Sequence, residues 1–168
     1  MTDPRMADRE KLFALVEKLK AQGMKPKADD QWLTYYMQEE DERPRPVTLE
    51  AFFDGIAEVS GHIAANLIEH PGEAAFYELL KAIRARETVA DVRVGVSQIE
   101  IELADPSSWV YADTVYIITK EKPEAVIKWF HKDIAPDEVD ELPRQDLKTR
   151  YGFFAPPPGT KWLAAWWD

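Results

Sequence analysis

Asp91-Val92-Arg93-Val94-Gly95-Val96-Ser97-Gln98-Ile99-Glu100-Ile101-Glu102-Leu103 and, a short turn later, Trp109-Val110-Tyr111-Ala112-Asp113-Thr114-Val115-Tyr116-Ile117-Ile118-Thr119 set the architecture of the chain. In the first run Val92, Val94 and Val96 share one parity, while Ile99, Ile101 and Leu103 share the other. A strand presents alternate residues to one face. Keeping these apolar side chains together therefore requires a one-residue slip near Ser97-Gln98, either a bulge or a hairpin turn. The second run is rich in β-branched residues. Val115, Ile117 and Ile118 imply burial on both faces, which places this strand centrally in a sheet.

Working outward, Gln31 to Met37 carries Trp32, Leu33, Tyr35 and Tyr36 and has strand character, and Lys161 to Trp167 reads as a closing strand. Leu12, Leu15, Val16 and Leu19 recur at helical spacing after a capping Asp8 and before Gly23. Thr48 caps a short helix bearing Phe52 and Phe53. Glu73 to about Arg86 is a better helix, with Phe76, Leu79, Leu80 and Ile83 inward. Pro123 suits the first position of a further helix with Val126, Trp129 and Phe130 on its apolar side. Lys25 to Asp30, the run Glu39 to Pro46 and Tyr151 to Gly159 read as turn or loop, and Pro136 to Leu142 as one more helical turn. The stretch from Ile63 to Ile68 stays open between helix and buried connector. The expected fold is α+β: a mostly antiparallel sheet of about four or five strands, with helices packed mainly on one face.

The length, 168 residues, suits one domain. Residues 1–46 supply a helix, a strand and a proline-rich loop, and residues 47–168 the remainder. Without cysteine there are no disulfides, thiolate metal sites or cysteine nucleophiles, and the composition fits a cytoplasmic protein. No segment approaches a membrane span, and no signal-type stretch is expected at the N-terminus. The net charge of −10, from 31 acidic and 21 basic residues, repels phosphate backbones, so neither nucleic acid nor membrane is expected as a partner. A basic protein partner suits that charge.

Motifs for catalysis are missing. Ser60-Gly61-His62 is not the G-x-S-x-G elbow of a serine hydrolase, and neither a P-loop nor G-x-G-x-x-G occurs. If residues 62–70 were one helix, His62, Glu69 and His70 would lie about two turns apart, which matches no metal-ligand spacing. No catalytic residue, metal site or cofactor is assigned. His70, before Pro71-Gly72, reads as shaping a turn. Asp113 interrupts an apolar strand and must reach solvent or partners. The compositional excess is aromatic: six tryptophans, with Trp162, Trp166 and Trp167 crowded together. In a strand Trp162 and Trp166 share one face and Trp167 takes the other; either the chain covers both faces itself, or one face is core and the other is a candidate contact surface. The binding candidates are Trp109, Asp113, Trp162, Trp166, Glu69 and His70.

The segments Val47 to Gly55, His70-Pro71-Gly72 with Phe76-Tyr77, Ala82 to Arg86, Asp113-Thr114-Val115-Tyr116, Ala135 to Val139 and the terminal Trp166-Trp167-Asp168 together resemble a family of small uncharacterised bacterial proteins ending in a similar tryptophan-aspartate sequence. The resemblance covers roughly residues 47 to 168 and implies a bacterial source and one domain, with no activity attached. Three functions from different classes stay open. The first is a non-enzymatic interaction protein, accessory or immunity-like, that binds a basic partner. The second is a small-molecule binder or enzyme using carboxylates and aromatics. The third is a homodimer completing its core through an aromatic element.

Overall fold

The computed structural model describes residues 3–168. Among them runs an antiparallel sheet of seven strands: β1 (Lys27–Ala28), β2 (Trp32–Tyr36), β3 (Arg45–Thr48), β4 (Val89–Glu102), β5 (Val110–Thr119), β6 (Glu138–Glu141) and β7 (Lys161–Trp166). The order is β1-β2-β4-β5-β7-β6, with β3 also paired to β4. At 14 residues β4 is long enough to take two partners, β3 along residues 93–96 and β2 along residues 98–102. The register with β5 shifts between Gly95 and Val96 and again between Val96 and Gln98. Val92, Val94, Val96, Ile99 and Ile101 nevertheless all enter one buried cluster. The parity change is therefore a bulge inside a continuous strand, not a hairpin turn.

Helix α1 (Arg9–Ala21) starts where the Asp8 carboxylate accepts the Lys11 N–H, and it ends at Gln22. Gly23 follows in the left-handed region, at φ +99°, where a side chain would be strained. Helix α2 (Leu49–Phe53) is capped by the Thr48 hydroxyl, which accepts from Ala51 N–H. Helices α3 (Glu73–Arg84) and α4 (Pro123–Val126) follow, α4 running on as a 3-10 turn (Ile127–Trp129), and α5 (Asp146–Thr149) comes last. Leu12, Leu15, Val16 and Leu19 of α1, Phe52 and Phe53 of α2, and Phe76, Leu80 and Ile83 of α3 all bury against one face of the sheet. Each such side chain contributes about 1.5–3 kcal/mol. The other face holds a smaller cluster in which Tyr116, Ile118 and Trp162 are covered by Leu147 of α5 and by Phe153. The α+β class and the bias of helices to one face match the sequence reading.

The strand count exceeds that reading, which expects about four or five. Arg45-Pro46, read as loop, belongs to β3; Pro46 is tolerated because β3 pairs on one side only. Pro136 to Leu142, read as a helical turn, contains β6, whose acidic side chains stay in water while its backbone pairs with β7. Lys25 to Asp30 holds the two-residue β1. The stretch 62–70 is a connector. Ala112 N–H donates to His62 O at 2.9 Å and Ala64 N–H donates to Ala112 O at 3.0 Å, stitching it to β5 beyond the end of β7.

Candidate functional site

The chain separates Trp166 and Trp167 where β7 ends. Trp166 stays on the solvent side, 37% exposed, while Trp167 turns into the core. The backbone N–H of Trp167 donates to Asp113 O (2.9 Å) and its Nε1 to Ile134 O (3.0 Å), and its ring meets Phe76 and Phe130 edge-on. Asp168 N–H donates to Asp137 Oδ2 at 2.8 Å, so the segment ending in Asp168 is tied to the loop before β6. These ties create two adjoining grooves that share Asn66, Trp167 and Asp168. The larger, about 610 Å³, lies between residues 66–69 and residues 132–137. The smaller, about 340 Å³, lies between Asn66, Gln98, Tyr111, Asp113 and Trp166.

Charge is the dominant character of this cleft. Glu69, Asp133, Asp137 and Asp168 line the larger groove against the single cation Lys132, and Asp113 lines the smaller one. Asp113 is half-buried, and burial pushes its carboxyl above its ordinary value of 3.8, against the hydrogen bonding offered by Thr114 and Trp166. Thr114 Oγ1 donates to Asp113 Oδ1 at 3.0 Å. Ile68, on the rim of the larger groove, is 101% exposed. Among the described residues no three His, Asp or Glu side chains gather as a metal site, and no histidine lines either groove.

Of the residues the sequence puts forward, Glu69, Asp113 and Trp166 line the cleft. Trp109 does not: it is fully buried, and its Nε1 donates to Phe52 O at 2.9 Å, pinning α2 to the sheet. Trp162 is 1% exposed in the smaller cluster and lines a different cavity. His70 organises a turn. Its Nδ1 accepts from Gly72 N–H (2.9 Å), which leaves the proton on Nε2 to donate to Ile63 O (2.6 Å). His62, Glu69 and His70 do not converge; of the three, Glu69 alone lines a groove of the cleft.

A residue that the sequence does not single out organises the segment 59–62, which runs on into the cleft-lining residues 65–69. Glu73, fully buried, accepts from the backbone N–H groups of Val59, Ser60, Gly61 and His62 at 2.6–3.2 Å. Burial alone would raise its pKa. The His62 ring, 3.7 Å away, and these N–H groups outweigh that effect and hold it at about 2. Glu58 reciprocates by accepting from Ala74 N–H (2.8 Å) at the first turn of α3, whose N-cap Gly72 offers no side chain.

Fold and cleft together define an α+β protein with an acidic concave surface that offers carboxylates and apolar rims. The model of the Uncharacterized protein YfbO family matches residues 10–165, and the chain belongs to that family. It is 36% identical over 126 residues to Uncharacterized protein YfbO of Escherichia coli (strain K12), a match covering 74% of this chain and 84% of that protein. No solved structure gives a significant match. The resemblance to small uncharacterised bacterial proteins is thereby borne out.

Proposed function

We propose that the protein is a non-enzymatic interaction protein, a single domain working in the cytoplasm, that holds a basic segment of a partner protein in the acidic cleft. The observation that carries this reading is the cleft lining, with carboxylates of Glu69, Asp113, Asp133, Asp137 and Asp168 set against Lys132. A cation entering there is steered by the net charge of −10. It finds Ile68 and Trp166 exposed as apolar contacts on either side. Asp113 adds selectivity: its ionised form is disfavoured by burial, and a neighbouring cation restores it.

The test is fluorescence anisotropy with a labelled peptide of alternating arginine and leucine, beside a counterpart carrying glutamate for arginine. The basic peptide saturates, weakens as salt rises, and weakens further with Glu69→Gln combined with Asp133→Asn; the acidic peptide does not bind. Asp113→Asn separates binding from folding. The stability that protonated Asp113 contributes is fully present below 3.8 and is lost as pH rises through its raised folded value. Asp113→Asn therefore raises Tm at neutral pH, leaves it unchanged in acid, and still weakens the basic peptide. A basic peptide that binds the charge-neutralised variants as well as it binds the unaltered protein would sink the reading.

A further inference from the structure

A second cavity of opposite sign lies on the sheet face covered by Phe153. Its volume is about 360 Å³, within the roughly 300–1,000 Å³ of small-molecule sites. The charged side chains lining it are Arg43, Arg45 and Arg93, and no carboxylate lines it. In a chain of net charge −10 such a lining runs against the composition.

The three guanidinium groups are not equivalent. Arg45, 4% exposed, is committed to the fold: Nε donates to Gln22 O (3.0 Å), Nη1 to Arg43 O (2.9 Å) and Nη2 to Asp41 Oδ1 (3.0 Å). Arg93 donates from Nε to Asp91 Oδ2 (3.0 Å) and lies over the Phe154 ring at 5.2 Å. Arg43 is half-buried, and its guanidinium has no hydrogen-bond or ion-pair partner among the described residues. It packs so close to Gly152, at φ +67°, that a Cβ there would sit 3.1 Å from its Nη1. A guanidinium carries five N–H donors in a planar fork and is costly to hold half out of water without acceptors. Beside it stand Tyr151 and the 47% exposed Phe154.

We propose that this pocket binds a small organic anion in which a carboxylate or phosphate is joined to a flat apolar ring, with the anionic group on Arg43 and the ring beside Phe154. The fork of Arg43 matches the paired oxygens of either group, and the Phe154 ring supplies a stacking surface. Asp41 and Asp91 already neutralise Arg45 and Arg93, so the site has one uncompensated positive charge to offer. This site is independent of the acidic cleft and of its basic partner.

Trp162 lines the pocket, and its Nε1 is buried without a partner, so its indole N–H resonance reports entry. The experiment titrates ¹⁵N-labelled protein with phenyl phosphate, benzoate and neutral benzyl alcohol. At least one anion is expected to move that resonance saturably at about millimolar concentration or below, while benzyl alcohol does not. The stronger anion identifies the headgroup. Arg43→Met weakens binding by at least about tenfold, the loss expected for a charge-assisted hydrogen bond. Tm stays unchanged, because no hydrogen bond of the fold uses that side chain. Phe154→Ala weakens the stronger anion, and the cleft pair Glu69→Gln with Asp133→Asn leaves its binding unaffected. No saturable shift from either anion, equal binding by Arg43→Met, or equal binding of benzyl alcohol overturns the proposal.

Discussion

Glu73 shows how a single charge can organise a loop. Its carboxylate collects the N–H groups of residues 59–62, a segment in which Ser60 takes a positive φ of 57° and Val59 is exposed. The folded pKa of about 2, against 4.5 ordinarily, means that stability from this group is present above 4.5 and is lost as pH falls toward 2. A shift of that size corresponds to about 3 kcal/mol. Glu73→Gln is therefore expected to lose about that much in urea unfolding at pH 7, because the amide NH₂ would face N–H donors, and most of the difference should vanish near pH 2. An equal loss at both pH values would mean that packing, not charge, holds the loop. The sequence could not reveal this, since backbone donors have no residue identity and Glu73 stands beside Gly72 like any first-turn helix acid. Asp113 was legible for the opposite reason: a carboxylate interrupting a run of Val and Ile has to be accounted for by some partner or opening.

At the scale of elements, β4 was readable because its apolar residues change parity, and a bulge is the cheapest way to keep them on one face. The helices were readable from their stripes and caps. The edge strands were not. β3 and β6 pair on one side only, so they need no alternation, and Pro46 or a run of acids can sit there unpunished. Their positions come from what the central strands leave open. Gly95 is where β3 is set: a Cβ there would lie 2.8 Å from Pro44 Cβ and 2.9 Å from Tyr116 Cε2, and Tyr116 donates its hydroxyl to Pro44 O at 2.9 Å. Gly95→Val must push Pro44 away and break that bond. The expected cost is about 1–3 kcal/mol in urea unfolding. The midpoint should fall without a change in slope, since the surface exposed on unfolding is the same. An unchanged midpoint would show that β3 yields freely and that Gly95 is not a fixed point of the sheet.

For the molecule as a whole, the tryptophan excess raised a question that alternation alone could not answer: which aromatic face the chain covers for itself. The answer depends on residues 142–160, whose Leu142, Leu147, Tyr151 and Phe153 fold over Trp162, and no period in that proline-rich stretch announces it. With Trp162 covered, the homodimer reading keeps the exposed Trp166 on the same strand, and a sheet edge is the other surface it could use. The open edges of the sheet are poor templates: β3 carries Pro46, which has no N–H and whose O already accepts from Gln22 Nε2. β1 is two residues long, and β6 is four residues long and presents Glu138, Asp140 and Glu141 exposed. Two β6 strands brought together antiparallel about a two-fold axis would set these acids against one another, on a chain already at −10. The protein is therefore expected to be a monomer in light scattering coupled to size exclusion. Combining Glu138→Gln, Asp140→Asn and Glu141→Gln removes the repulsion and leaves the backbone edge open, so this variant should self-associate with rising concentration. A dimeric unaltered protein would put the homodimer ahead of the interaction reading, and a triple variant that stays monomeric would show that edge shape, not edge charge, keeps the chains apart.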